Sequence, residues 1–115
     1  MSDDVDDVEP IPRDVLYVET RQDGSGPVII VVGEFDMTGT EQFWAHVSEA
    51  VKGRPESITV EARGLTFVDS SGLAAMVRAR EAATEAGVAF RVSEPSPPLR
   101  RIVEIAGLES LLLDH

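Results

Sequence analysis

Cysteine is absent from this 115-residue chain, which excludes a disulfide framework, a thiolate metal site and a thiol-based redox switch. Lysine occurs once, as Lys52, and histidine twice, as His46 and His115. An acidic Mg²⁺ pocket built on Asp36 and Asp69 would want a further acid and a lysine close by, but Lys52 falls at a helix end. No metal site is expected. A serine hydrolase would need a base beside its nucleophile, yet His46 falls inside a helical pattern, His115 closes the sequence, and no Gly-x-Ser-x-Gly element occurs. A P-loop motif is also lacking, so the chain is not expected to be an enzyme or to hold a cofactor. No stretch approaches 18 consecutive apolar residues, and the N-terminus has neither the basic nor the apolar segment of a signal peptide. A cytoplasmic protein without membrane insertion is expected.

Basic residues are also scarce, ten against 21 acids. Five of the acids, Asp3, Asp4, Asp6, Asp7 and Glu9, fall in the first nine positions with no base among them, so this stretch holds −5 of the net −11. So acidic a segment, short of large apolar residues, cannot offset its ordering entropy, and Pro10 and Pro12 bound it. Residues 1–13 are read as a disordered acidic tail, and 14–115 as one domain. The −6 left on residues 10–115 argues against direct nucleic-acid binding, which rests on clustered Lys and Arg.

Within the domain, Val15 to Glu19 alternates apolar and polar residues. Gln22 to Pro27 supplies turn chemistry, and Val28 to Val32 is a solid apolar run, so a hairpin leads into a buried strand. Phe43, Val47 and Val51 predict a helix over about 38–52, stopped by Gly53. Ile58, Val60 and Ala62 alternate as a strand, and Leu65, Phe67 and Val68 continue toward a second helix from about Ser71 to Ala86, ended by Gly87. Val88, Phe90 and Val92 predict another strand. Pro97 and Pro98 then open a helix that buries Leu99, Ile102, Val103 and Ala106, and Leu108 with Leu111 to Leu113 packs back on the body. Strands alternating with helices of this length imply strand-helix-strand crossovers, hence an α/β class with a largely parallel or mixed sheet.

In such sheets functional groups gather where strands end and helices begin, which selects 33–40 and Asp69 to Gly72. Asp69-Ser70-Ser71-Gly72 puts two hydroxyls at a helix N-terminus, where unpaired N–H groups and a partial positive charge accept a cap or tolerate a phosphate. Asp36 and Thr38 read as a turn and cap for the first helix, or as part of a contact surface with Asp69. Met37 and Trp44 are either core or interface anchors, and Arg100 and Arg101 solvate a helix face.

Three segments in order, Gly33-Glu34-Phe35-Asp36-Met37-Thr38, Phe67-Val68-Asp69-Ser70-Ser71-Gly72-Leu73 and Leu99 to Leu108, resemble the STAS domains of anti-sigma factor antagonists, in particular the phosphorylatable ones. The resemblance spans roughly residues 15 to 113. It implies a STAS-like mixed, largely parallel sheet of four to five strands with three to four helices. It implies an antagonist that, unphosphorylated, binds an anti-sigma factor of GHKL kinase type and frees a sigma factor. That kinase would phosphorylate Ser70, with Ser71 the alternative acceptor that spacing alone does not exclude, and a PP2C-type serine phosphatase would reverse the step. The contact surface implied comprises Asp36, Met37, Thr38, Asp69, Ser70, Ser71 and Gly72. The alternative is a STAS accessory subunit of a membrane transport complex, with Ser70 acting only as a helix cap.

Overall fold

The computed structural model describes residues 15–113. The expected acidic tail, 1–13, lies outside the described residues. Two strands form the hairpin, β1 (Leu16–Asp23) and β2 (Gly26–Phe35), joined by the two-residue turn Gly24-Ser25 and paired antiparallel from Leu16 opposite Gly33 to Asp23 opposite Gly26. A 3-10 turn (Met37–Gly39) and helix α1 (Thr40–Lys52) follow, then strand β3 (Ser57–Val68), helix α2 (Ser70–Glu85), strand β4 (Ala89–Ser93), helix α3 (Pro97–Ala106) and the short helix α4 (Glu109–Leu112). The sheet order is β1-β2-β3-β4, with β2, β3 and β4 parallel. This is a four-stranded mixed, mostly parallel sheet with four α-helices.

Burial explains the layering. β2 buries alternate residues, among them Ile29, Val31 and Phe35, and leaves Val28, Ile30 and Val32 half-covered. The apolar run expected as a buried strand therefore meets a helical layer on one face only. Phe43 and Val47 of α1, Leu73, Met76, Ala79 and Ala83 of α2, and Leu99 and Val103 of α3 join the inward strand residues in one apolar core. Ala106, expected in that core, is exposed, because α3 is in its last turn there and Gly107 ends it with a left-handed φ of +74°. Gly53 follows α1 as expected, but its φ is −74° and the left-handed position is Arg54 at +47°, whose guanidinium donates to the Ala86 carbonyl at 3.2 Å.

β3 does not break at Arg63-Gly64 but absorbs the irregularity. Ile30 pairs with Glu61 while Val32 pairs with Gly64, and Gly33 pairs with Leu65 while Glu34 pairs with Phe67. Each step leaves one extra residue on β3, so its strict alternation is lost at its carboxyl end. Leu65 and Val68 point into the core, whereas Phe67 between them is 45% exposed.

Candidate functional site

β2 and β3 end side by side, and their next residues are held together by the backbone: the Asp69 N–H donates to the Phe35 carbonyl at 3.2 Å. Phe35 is fully buried, with its ring edge-on to Phe43 at a centroid distance of 5.0 Å. The first turn of α2 rests directly on this strand end because Gly72 has no side chain to hold it off.

Two carboxylates cap the two segments that leave the sheet here. Asp36 accepts from the Thr38 hydroxyl at 2.6 Å and from the Thr38 N–H at 2.9 Å, closing the 3-10 turn. The hydroxyl bond first, then the backbone bond, hold its carboxyl below the ordinary value of 3.8. Asp69 accepts from the N–H groups of Ser71 at 2.9 Å and Gly72 at 3.1 Å, so Asp69 is the N-cap of α2. The capping role considered for Ser70 thus falls to Asp69: Asp69 has the extended backbone of a cap, and Ser70 is already the first helical residue. No hydrogen bond to the Ser70 hydroxyl occurs among the described residues, and the residue is exposed.

Ser71 is half-buried and lines a cleft of about 210 Å³ between α1 and α2, shared with Thr40, Trp44 and Arg78. The Arg78 guanidinium lies 3.9 Å from the Trp44 ring centroid and clasps the two helices together. Trp44 is accordingly half-covered, and Met37 is 72% exposed. On the other side of the serine turn, Phe67 and Val68 face Pro98, Arg101, Ile102 and Ile105 of α3 across an apolar groove. Ile105 is 79% exposed.

Every exposed large apolar side chain among the described residues lies toward this end of the sheet. Val15 is tied to Glu34 through its carbonyl, Tyr17 pairs with Val32, Met37 follows β2, and Phe67 and Ile105 flank the α3 groove. The structure brings Asp36, Met37, Thr38, Asp69, Ser70 and Gly72 to this one end and turns Ser71 partly inward. The exposure of Phe67 and Ile105 is not expected from the sequence pattern alone. For Phe67 the sequence signal is Gly64, an isolated glycine in a strand pattern that marks a bulge.

No group of three or more metal-ligating side chains occurs among the described residues, and one oxygen of each carboxylate, Oδ1 of Asp36 and of Asp69, is committed to a cap. No helix among the described residues is long and apolar enough to cross a membrane.

Comparison with known proteins agrees with this architecture. An anti-sigma F factor antagonist of Lysinibacillus sphaericus is 35% identical over 89 residues, covering 76% of this chain and 75% of that one. An anti-sigma factor antagonist from Mycobacterium paratuberculosis superposes with a TM-score of 0.79 at 20% identity over 89% of this chain and 86% of that one, a likeness of fold. The Bacillus cell fate determinant SpoIIAA in its phosphorylated form superposes with a TM-score of 0.67 at 25% identity, over 86% of this chain and 91% of that one. Residues 18–114 match the family described as Mlab, STAS domain, and the chain belongs to the STAS-domain family.

Proposed function

We propose that this protein is an anti-sigma factor antagonist that works by binding rather than by catalysis. Unphosphorylated, it binds an anti-sigma factor of GHKL kinase type in the cytoplasm and frees a sigma factor. That kinase phosphorylates Ser70 and ends the binding, and a PP2C-type serine phosphatase restores it. The observation that carries this reading is the free, exposed hydroxyl of Ser70 amid the exposed apolar side chains Met37, Phe67 and Ile105. The names of the relatives support the partner class.

The chemistry is electrostatic. A phosphoserine carries about −1.5 to −2 charge at neutral pH and three strong acceptor oxygens. On Ser70 the N-terminal turn of α2 offsets part of that charge, while the Asp69 and Asp36 carboxylates repel it, so the fold tolerates the group. A partner seated on the same surface must desolvate it beside those carboxylates, and a few kcal/mol lost there lowers affinity by orders of magnitude.

Because Asp69 already caps α2, the accessory-subunit reading leaves the Ser70 hydroxyl without a structural task. Incubation with a GHKL-type anti-sigma kinase and ATP tests the proposal: intact mass rises by about 80 Da in the wild type and not in Ser70→Ala. Absence of that gain with every cognate kinase, or its persistence in Ser70→Ala, overturns it.

A further inference from the structure

β1 closes one side of the sheet, and among the described residues no strand pairs with its outer edge. The direction of its backbone groups follows from one hydrogen bond. The Glu34 N–H donates to the Val15 carbonyl at 3.2 Å, and the register runs without a shift to Asp23 opposite Gly26. In an antiparallel ladder, residues alternate between bonding their neighbour and facing away, so the odd residues of β1 bond β2. Leu16, Val18, Thr20 and Gln22 therefore turn their N–H and C=O groups outward, a template for another strand.

The side chains along that edge carry a pattern of charge. Tyr17, Glu19, Arg21 and Asp23 share the uncovered face of the sheet. There the Tyr17 hydroxyl donates to Glu19 Oε1 at 2.9 Å, and Arg21 Nε donates to Glu19 Oε2 at 2.6 Å. Two copies of β1 laid antiparallel about a two-fold axis at Thr20 bring Glu19 opposite the partner's Arg21, twice, and Tyr17 opposite the partner's Asp23, twice. Thr20 meets the partner's Thr20 on the covered face, a favourable pair. Outward backbone groups meet only if the register moves in steps of one residue about the axis. One step one way sets Glu19 against the partner's Glu19. One step the other way sets Arg21 against the partner's Arg21 and Glu19 against the partner's Asp23. Like charges directly opposite destabilise a ladder, so this edge is complementary to itself in a single register among the three.

We propose that the protein forms a symmetric dimer by antiparallel pairing of β1 with β1 of a second copy, in the register that sets Glu19 against the partner's Arg21. The two sheets then run on as one of eight strands. The proposal does not rest on the reading of Ser70, since the surfaces differ.

Charge reversal tests it on the full chain. Sedimentation equilibrium from micromolar to millimolar concentration is expected to give a monomer–dimer equilibrium in the wild type. Glu19→Arg and Arg21→Glu each lower the association constant about tenfold or more, and the double variant Glu19→Arg/Arg21→Glu restores it. Circular dichroism of each variant verifies its fold. Amide exchange on the wild type is a second measurement that needs no variant: the Val18, Thr20 and Gln22 amides slow as concentration rises. A monomer at every concentration overturns the proposal, as does a dimer indifferent to the single reversals or not restored by the double one. So does outward-amide exchange that ignores concentration.

Discussion

Gly72 sits so close to the carbonyl oxygen of Phe35 that a Cβ on it would come within 2.4 Å of that atom and within 2.9 Å of the Phe35 ring. Both neighbours are fixed, one as backbone and the other as buried core. Gly72→Ala must therefore push the first turn of α2 off the sheet, at a cost of about 1–3 kcal/mol. Thermal unfolding is expected to fall by about 5–15 °C, with the Ser71 and Leu73 amides, both bonded to Asp69, exchanging faster.

Asp69 and Ser70 separate cleanly by stability. Asp69→Ala leaves the Ser71 and Gly72 N–H groups without their acceptor and is expected to cost about 1 kcal/mol in urea unfolding. Ser70→Ala removes a hydroxyl with no partner among the described residues and should stay within about 0.5 kcal/mol of the wild type. Equal losses for the two would return the capping role to Ser70.

Ser70→Asp places a carboxylate beside Asp69 on an exposed first turn. Titration calorimetry with the cognate anti-sigma factor is expected to show affinity reduced about a hundredfold or more, with an unchanged far-ultraviolet circular dichroism spectrum. Wild-type affinity in this variant means the partner does not cross the serine turn.

Met37 and Phe67 should behave as contact residues rather than core. Met37→Ala and Phe67→Ala are each expected to change stability by less than about 1 kcal/mol while weakening partner binding about tenfold. Val103→Ala, fully buried in α3, is the counter-case: it costs about 1–3 kcal/mol of stability and leaves the affinity of the folded protein near that of the wild type.

The Asp36 carboxyl titrates below its ordinary value of 3.8 because Thr38 bonds its charged form. A depressed folded-state value contributes stability that is fully present above the ordinary value and is lost as pH falls through the folded one. Unfolding midpoints measured from about pH 6 down to about pH 2 should drop less steeply in Asp36→Asn than in the wild type, with the two curves parallel above about pH 5.

Several features were legible in the sequence because local rules act there without interference. Gln22 to Pro27 carries turn chemistry, and a two-residue hairpin forms. Phe43 and Val47 keep helical spacing, and both are fully buried. Pro97 and Pro98 read as a helix start, and α3 begins at Pro97 with the Ser96 hydroxyl accepting from the Leu99 N–H. What stayed hidden depends on register or on distant partners. Leu65, Phe67 and Val68 cannot all share one face of a period-two strand, and which of them turn inward is fixed by the extra residues that only pairing with β2 defines. Val28, Ile30 and Val32 look like a strand buried on both faces, yet the helices cover one face. Arg78 reaches Trp44 from 34 positions away, which no periodicity encodes. Within Asp69-Ser70-Ser71-Gly72 several residues are good caps by type, and backbone conformation alone selects Asp69.

Helical rise over the 16 residues of α2, Ser70 to Glu85, separates its two ends by about 22 Å. Glu85 is exposed, and the chain offers no competing thiol, so Glu85→Cys creates a unique handle for a maleimide dye or a sensor chip. A molecule tethered there presents its opposite pole outward, which lets association and release be timed in single-molecule recordings without the linker shading the surface under study.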